Sequence, residues 1–321
     1  MPFDLQVFNK QTYVAMTETV AQDVAKFNEA SQGTIQLIAE PFNGDFSIEA
    51  SFKAIDGLVR RRNAHGSGTV AVKRLQQMLD VAVKIAAGTP PIRYEKQQYL
   101  WIQQNPELAA LTIGTQLGKA KIADMLNAGI LGGSSAIGGN ANAVEGDGTG
   151  DSTFRLLNKG SARMGDRSSA IRAWILHSTT MHNLFDNALT NAQNLFQYDG
   201  VNVIRDPFGR LFVITDAPAL IGSTGGTTPT TLYQTLGLVE GGIVVNDSND
   251  FNAELRAITG GENIEYEYQA EWSYAVGVKG YAWDIANGGK SPNDAAIGTG
   301  TNWDLIASSI KDTAGVLIKS K

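Results

Sequence analysis

Apolar residues recur along this chain with two different periods. Over residues 12–30, Val14, Thr17, Val20, Ala21, Val24 and Phe27 are spaced by three and four, which predicts a short amphipathic helix near the N-terminus. Residues 34–59 change to a period of two. Ile35, Leu37 and Ala39 share one face, and Phe46, Ile48, Ala50 and Phe52 continue the alternation after a Pro41–Gly44 turn, so strands are expected. A short helix is expected over Thr69–Leu79, on Val70, Val72, Leu75 and Leu79. Val81, Val83 and Ile85 then alternate again before the Gly88–Pro91 breaker. The span from about 36 to 98 reads as an excursion that leaves and returns as extended chain.

The most regular helical signal comes next. Asn105 suits an N-cap, Pro106 the first helical position and Glu107 the first turn. Leu108, Leu111, Leu117, Ile122, Met125 and Leu126 supply an apolar stripe. The pattern predicts a helix over 106–128, on the order of 35 Å long, ending before Gly129 or Gly132. Residues 132–151 are almost all glycine, small or Asx, and read as a flexible loop. Beyond it the pattern predicts a helical turn at Asp166–Arg172, a short buried strand at Ala173–Leu176 and a helix over Asn183–Phe196. A hairpin is expected from Val201–Ile204 and Arg210–Thr215 around Asp206–Gly209, then a Gly/Thr loop at 222–230. Tyr233–Val245 reads as strand–turn–strand about Glu240–Gly242. Ile264–Trp283 alternates strongly, as one or two long strands broken near Gly277–Gly280. Short extended segments follow at Trp303–Ile306 and Val316–Ile318. The fold class is α+β.

Composition narrows the function. A chain of 321 residues holds about two compact units, or one elaborated one. Only 18% of residues are charged, against roughly 25% in typical soluble proteins. Such charge-poor surface suits protein–protein interfaces, whose centres are depleted of charge. The net charge of −6 argues against a dedicated nucleic-acid binder, though not against a protein that encloses DNA. With no cysteine, disulfides, thiol catalysis and thiolate metal sites are excluded. The first residues lack a basic region followed by an apolar run, so no secretory signal is expected. No apolar stretch is long enough for a membrane span. A soluble, acidic protein made inside the cell is the expectation.

Catalytic patterns fail on inspection. Gly289–Lys290–Ser291 has Asp284 where a phosphate-binding loop needs its first glycine, and Pro292 follows where that motif begins a helix. A calcium loop counted from Asp147 reaches Asn158 at its twelfth position, not a bidentate carboxylate. His177 and His182 lie five apart with no third ligand nearby, and His65 stands alone. No acid–base pair stands out, so neither catalytic residues, metal nor cofactor are expected. The charge layout is more informative. Lys53, Arg60, Arg61, Arg62, Lys73 and Arg74 face only Asp56 within residues 51–75. Residues 240–271 hold eight carboxylates, among them Glu262, Glu265, Glu267 and Glu271, against Arg256 alone. Two readings stay open: complementary faces of neighbouring subunits, or two solvated faces of one molecule.

The order of segments, together with particular strings, resembles one family. SFKAIDGLVRRRN, VKIAAGTPP and WIQQNPELAALTIGTQL are similar to the front half of a coat-protein subfamily. SSAIRAWILHSTTMHNLFDNAL, VIRDPFGRLFVITDAPAL, YQTLGLVEGGIVV and SPNDAAIGTGTNWDLIASSIKDTAGVLIK are similar to its later segments. The chain thus resembles tailed-bacteriophage major capsid proteins with the Hong Kong 97-like fold, over nearly its whole length. That resemblance implies an N-terminal arm at 1–35 and an extended loop at 36–98 reaching over a neighbour. It also implies a peripheral domain at 99–165 and 256–321, with its spine helix about 106–128, and an axial domain at 166–255. The implied function is self-assembly into pentamers and hexamers of an icosahedral head shell that encloses the genome. Implied partners are a separate scaffolding protein, a portal and a decoration protein, with DNA enclosed without sequence-specific binding. Assembly would take place in the bacterial host cytoplasm. Two alternatives are an encapsulin-like compartment shell and, from another class, a β-rich polymer-processing enzyme, which would need a paired-carboxylate cleft.

Overall fold

The structure, a computed structural model, describes residues 5–39, 44–52, 61–62, 64–70, 77–94, 100–102, 104–191, 209–223, 230–262 and 264–321. One strand organises the largest sheet. β12 (Glu265–Val278) pairs antiparallel on one side with β10 (Ile243–Asp247) and β11 (Asn252–Ile258). On its other side it pairs with β3 (Gln77–Gly88) and β4 (Ile92–Tyr94). β1 (Ile35–Ile38) adds to β10 in parallel, and β2 (Phe46–Phe52) extends β3 as an antiparallel arm. β13 (Tyr281–Trp283) and β14 (Trp303–Leu305) finish this sheet. Alternation assigns its faces. Trp272, Tyr274 and Val276 of β12 are buried in the core, and Glu265, Glu267, Gln269 and Glu271 point to the other side.

A second sheet gathers β5 (Val144–Glu145), β6 (Ile171–Leu176), β7 (Leu211–Ile214), β8 (Ile221–Ser223), β9 (Thr231–Val239) and β15 (Gly315–Ser320). Strand–turn–strand at 233–245 is present, but the turn at Glu240–Gly242 carries the chain from β9 in the second sheet to β10 in the first. The sheets also cross the expected segment boundaries. β10 and most of β11 precede residue 256 yet pair with β12, and the C-terminal β15 pairs with β9. Of the expected hairpin, residues 201–208 lie outside the described residues, and β7 runs parallel to β6.

The spine helix α2 (Pro106–Gly138) is 33 residues long, about 50 Å, and does not stop at Ala128. It runs through Gly129, Gly132 and Gly133, and the loop expected from residue 132 begins only after Gly138. Packing explains this. A Cβ at Gly129 would stand 2.8 Å from Val245 Cγ2, at Gly132 3.2 Å from the Trp303 ring, and at Gly133 2.4 Å from Ile243 Cδ1. Each interior glycine costs about 1 kcal/mol of helix propensity. Burial of Ile243, Val245 and Val276 against the helix outweighs that cost. Asn105 precedes the helix as expected, but its side chain makes no capping bond to it.

The N-terminal helix α1 (Leu5–Ala30) starts before residue 12 and lies along α2. Its buried face is Phe8, Thr12, Ala15 and Met16, and Val14, expected in the stripe, is exposed. The crossing is close because α2 offers glycines there: a Cβ at Gly114 would be 2.6 Å from the Thr12 carbonyl, and one at Gly118 3.2 Å from that of Met16. Asn28 then fixes α1 to β1, donating from Nδ2 to the Leu37 carbonyl and accepting from the Leu37 N–H, both at 2.9 Å. No helix forms at the end of Thr69–Leu79: residues 77–79 are strand, because they pair with Ala50, Ser51 and Phe52 of β2. Residues 71–76 lie outside the described residues.

On the second sheet, Leu236 and Leu238 join the core under α2, and Trp174, Val316 and Ile318 pack on the far side. There α3 (Phe154–Ala162) and α4 (Ser178–Asn191) cover them. α4 begins five residues before the expected Asn183, and residues 192–196 lie outside the described residues. Gly237 makes room for Trp174, whose ring would sit 2.4 Å from an added Cβ.

Candidate assembly surfaces

Several of the residues singled out for chemistry have partners within the fold. Lys290 pairs with Asp45 at 2.7 Å, and Asp284 caps the short helix Ile285–Gly288. Asp147 accepts from the N–H and hydroxyl of Thr149, and these bonds hold its carboxyl below the usual range. His177 follows β6, 3.6 Å from Asp216 and with its ring tilted against that of Tyr233, while His65 and His182 are exposed. Among the described residues no cluster of His, Asp or Glu could hold a metal ion, and no helix is long and apolar enough to cross a membrane.

Two polar contacts tie the spine helix to the first sheet. Lys121 and Asp247 form an ion pair at 2.6 Å with side-chain exposures of 2% and 8%. The pair is completed by the Asn249 N–H, which donates to Asp247 at 3.0 Å. Buried pairs like this add little net stability, but removing one partner is strongly destabilising because it leaves the other charge buried and uncompensated. One turn along, Tyr274 donates to Asp124 at 2.8 Å. Burial pushes the Asp124 carboxyl above the usual carboxylate range, against the lowering effect of that bond. Burial and the nearby Asp124 likewise push the Tyr274 hydroxyl up.

The predicted basic arm is described only in part. Lys53, Arg60, Lys73 and Arg74 lie outside the described residues, and Arg61 and Arg62 are exposed in irregular chain. The glutamates are brought together. Glu265, Glu267 and Glu271 share the face of β12 turned away from the helices, and Glu262 is exposed in the β11–β12 turn. Glu267 is buried beneath two arginines of its own chain. Arg93 Nε lies 3.3 Å from its Oε2, and Arg256 Nη2 lies 3.1 Å from its Oε1. Glu265 reaches Arg93 at 3.4 Å, and Glu271 accepts from Asn252 at 2.8 Å. Sequence reading had no place for Arg93, because its partners lie more than 170 positions away; the cue was an arginine inside the short extended IRY segment.

Apolar surface is left uncovered at two places. Along one face of the β2–β3 arm, Val83 is fully buried and Val81 nearly so, but Leu79 is 53% and Ile48 56% exposed. The core face of the sheet thus continues outward past the body that covers it. The second place is the start of the spine helix, where Leu100, Trp101, Leu108 and Leu111 are all roughly half exposed. Leu108 and Leu111 were expected to face the core. The close crossing of α1 instead buries the small Ala109 and Ala110.

Comparison with known proteins agrees with this architecture. No curated protein sequence matches the chain. Among solved structures, a chain of Mycobacterium phage Cain is 10% identical with a TM-score of 0.50, covering 77% of this chain and 83% of that one. A chain from the Cyanophage Pam1 capsid asymmetric unit is 12% identical with a TM-score of 0.49, covering 75% and 83%. At such identities the likeness concerns the fold, and it fits the Hong Kong 97-like class expected from the sequence. The model of one family, described as major capsid protein 13-like, matches residues 4–317. Matched over nearly its whole length, the chain belongs to the Gp13-like family of major capsid proteins.

Proposed function

We propose that copies of this chain close into pentamers and hexamers of an icosahedral bacteriophage head that encloses the genome. The observation that carries the reading is the apolar face of the β2–β3 arm, which leaves the body of its own subunit uncovered at Leu79 and Ile48. Leu79 and Ile48 are already about half covered, so burying the remainder contributes about 1 kcal/mol each. Repeated once per subunit over a closed shell, such contacts become collectively large. In this reading residues 36–98 reach over a neighbouring copy, whose exposed Leu108 and Leu111 offer a matching surface. The basic arm, with Lys53, Arg60, Arg61, Arg62, Lys73 and Arg74, meets the glutamates of another copy. Glu267 is already held by Arg93 and Arg256, and Glu265 shares Arg93, so Glu262 and Glu271 are the most exposed carboxylates for that contact, with Glu265 half exposed beside them. A separate scaffolding protein guides closure in the host cytoplasm, a portal occupies one vertex, and a decoration protein binds the finished shell. A net charge of −6 argues against sequence-specific binding of the enclosed DNA.

Negative-stain microscopy with light scattering tests the assembly. The expressed chain should give shells, rings or tubes, and Leu79→Asp should abolish them while lowering the unfolding free energy of the isolated subunit by no more than about 1 kcal/mol. A chain that stays strictly monomeric at high concentration with scaffold supplied would sink the proposal. So would normal shells from the Leu79 variant.

A further inference from the structure

At the far end of β12 three charged side chains stand in one row across three strands. Arg93 on β4, Glu267 on β12 and Arg256 on β11 are register partners, and all lie on the face turned away from the helices. The central carboxylate is buried, while each guanidinium keeps 65% of its side chain in solvent. An arginine has five N–H donors in a fixed fork. Among the described residues, Arg256 uses one nitrogen, on Glu267. Its position is therefore set from below while most of its donors remain open. Two residues earlier on the same face of β11, Glu254 is exposed and forms no ion pair among the described residues. The strand opposite presents the neutral Gln269 at that level. One strand thus displays a carboxylate and a clamped guanidinium, about 7 Å apart, on an exposed sheet face.

That pattern is complementary to itself. A two-fold rotation about an axis midway between Glu254 and Arg256 brings the carboxylate of a second copy onto this guanidinium and the reverse, as an isologous contact requires. We propose that the outer face of β11 is an interface with a second copy of this chain, made by reciprocal Arg256–Glu254 ion pairs. The inference rests on the shell reading and adds to it a contact on β11, the strand beside the glutamates that the basic arm meets. A second copy suits the patch better than nucleic acid does. Glu254, Glu265, Glu267 and Glu271 outnumber Arg93 and Arg256 there, so a phosphate backbone would be repelled. The clamped guanidinium loses little rotamer freedom on pairing, and charge pairs of this kind fix register between subunits.

Mixing of charge-reversed copies provides the test. Glu254→Arg leaves the Arg256–Glu267 bond in place and sets only like charges across the contact. It should raise the protein concentration needed for assembly about tenfold or more, read by light scattering. Arg256→Glu should do the same. An equimolar mixture of the two pairs every arginine with a glutamate and should assemble close to the parent concentration. Circular dichroism of each variant monitors folding, and Glu254→Gln, which carries no reversal, should show a smaller effect. Glu254→Arg assembling like the parent would overturn the contact, as would a mixture no better than its folded components. Loss of packaged DNA with shells unchanged would assign the face to nucleic acid instead. A parent chain that never assembles would overturn the shell reading, and this contact with it.

Discussion

Asp124 and Tyr274 show how a single side chain acquires a role from its surroundings. The carboxyl lies at the edge of the spine helix, half-buried, with Tyr274 donating to it. Its pKa is raised in the folded chain, mainly by desolvation. The folded state therefore binds more protons than the unfolded state between the two pKa values, and stability falls as pH rises through that window. The cost is absent below the ordinary carboxylate pKa and fully present above the raised one. Asp124→Asn keeps an acceptor for Tyr274 and has no charge to desolvate. The variant should be more stable than the parent at neutral pH, with the difference shrinking as pH falls toward 4, as urea midpoints across pH would show. A constant difference at all pH values would refute the account. The sequence contains Asp124 and Tyr274, but 150 positions apart, and no local pattern joins them.

At the scale of elements, the close crossing of α1 and α2 is the sharpest case. The Thr12 carbonyl would be 2.6 Å from a Cβ at Gly114, and backbone cannot swing aside as a flexible side chain can. Gly114→Ala gains about 1 kcal/mol of helix propensity. The clash outweighs it, by roughly 1–3 kcal/mol for an overpacked contact. Amide hydrogen exchange over residues 5–30 should accelerate in this variant while the second sheet stays protected, and unchanged protection of α1 would contradict the close-crossing argument. The elements themselves were mostly legible. Period-two alternation found β2, the β3 segment from Val81 and β12, and helical spacing found α1 and the first two-thirds of α2. The errors fell where tertiary contact overrules local preference. Gly129 and Gly132 read as a helix end because glycine usually marks one, yet here they admit Val245 and Trp303. Gln77–Leu79 read as helical because their partners on β2, Ala50 to Phe52, are 25 to 29 residues away.

At the scale of the whole molecule, charge and apolar surface are unevenly placed. The β2–β3 arm carries uncovered Ile48 and Leu79, and Arg61 and Arg62, between its strands in sequence, are exposed, while carboxylates gather on the outer face of β11 and β12. Reversing the charge at Arg60, Arg61 and Arg62 together should block assembly and leave the subunit folded, because surface substitutions seldom change stability by more than about 0.5 kcal/mol. Normal shells from that triple variant, seen by microscopy, would refute the pairing of the basic arm with a neighbour's glutamates. Neither reading left open by the sequence describes Glu267, which is buried and neutralised by two arginines of its own chain. Glu262, in the β11–β12 turn, remains exposed.

Sequence by itself determined the α+β class, the order of the main elements, the lack of thiol chemistry and the likeness to a capsid family. Those properties rest on local periodicity, composition and strings of adjacent residues, all of which survive without a fold. Tertiary structure decided how far the spine helix runs, which sheet each strand joins, and which charges are spent inside the subunit. Each of these depends on residues far apart in the chain meeting at packing distance, as Gly133 meets Ile243 and Arg93 meets Glu267. The free energy of such a meeting belongs to the pair and cannot be read from either residue alone.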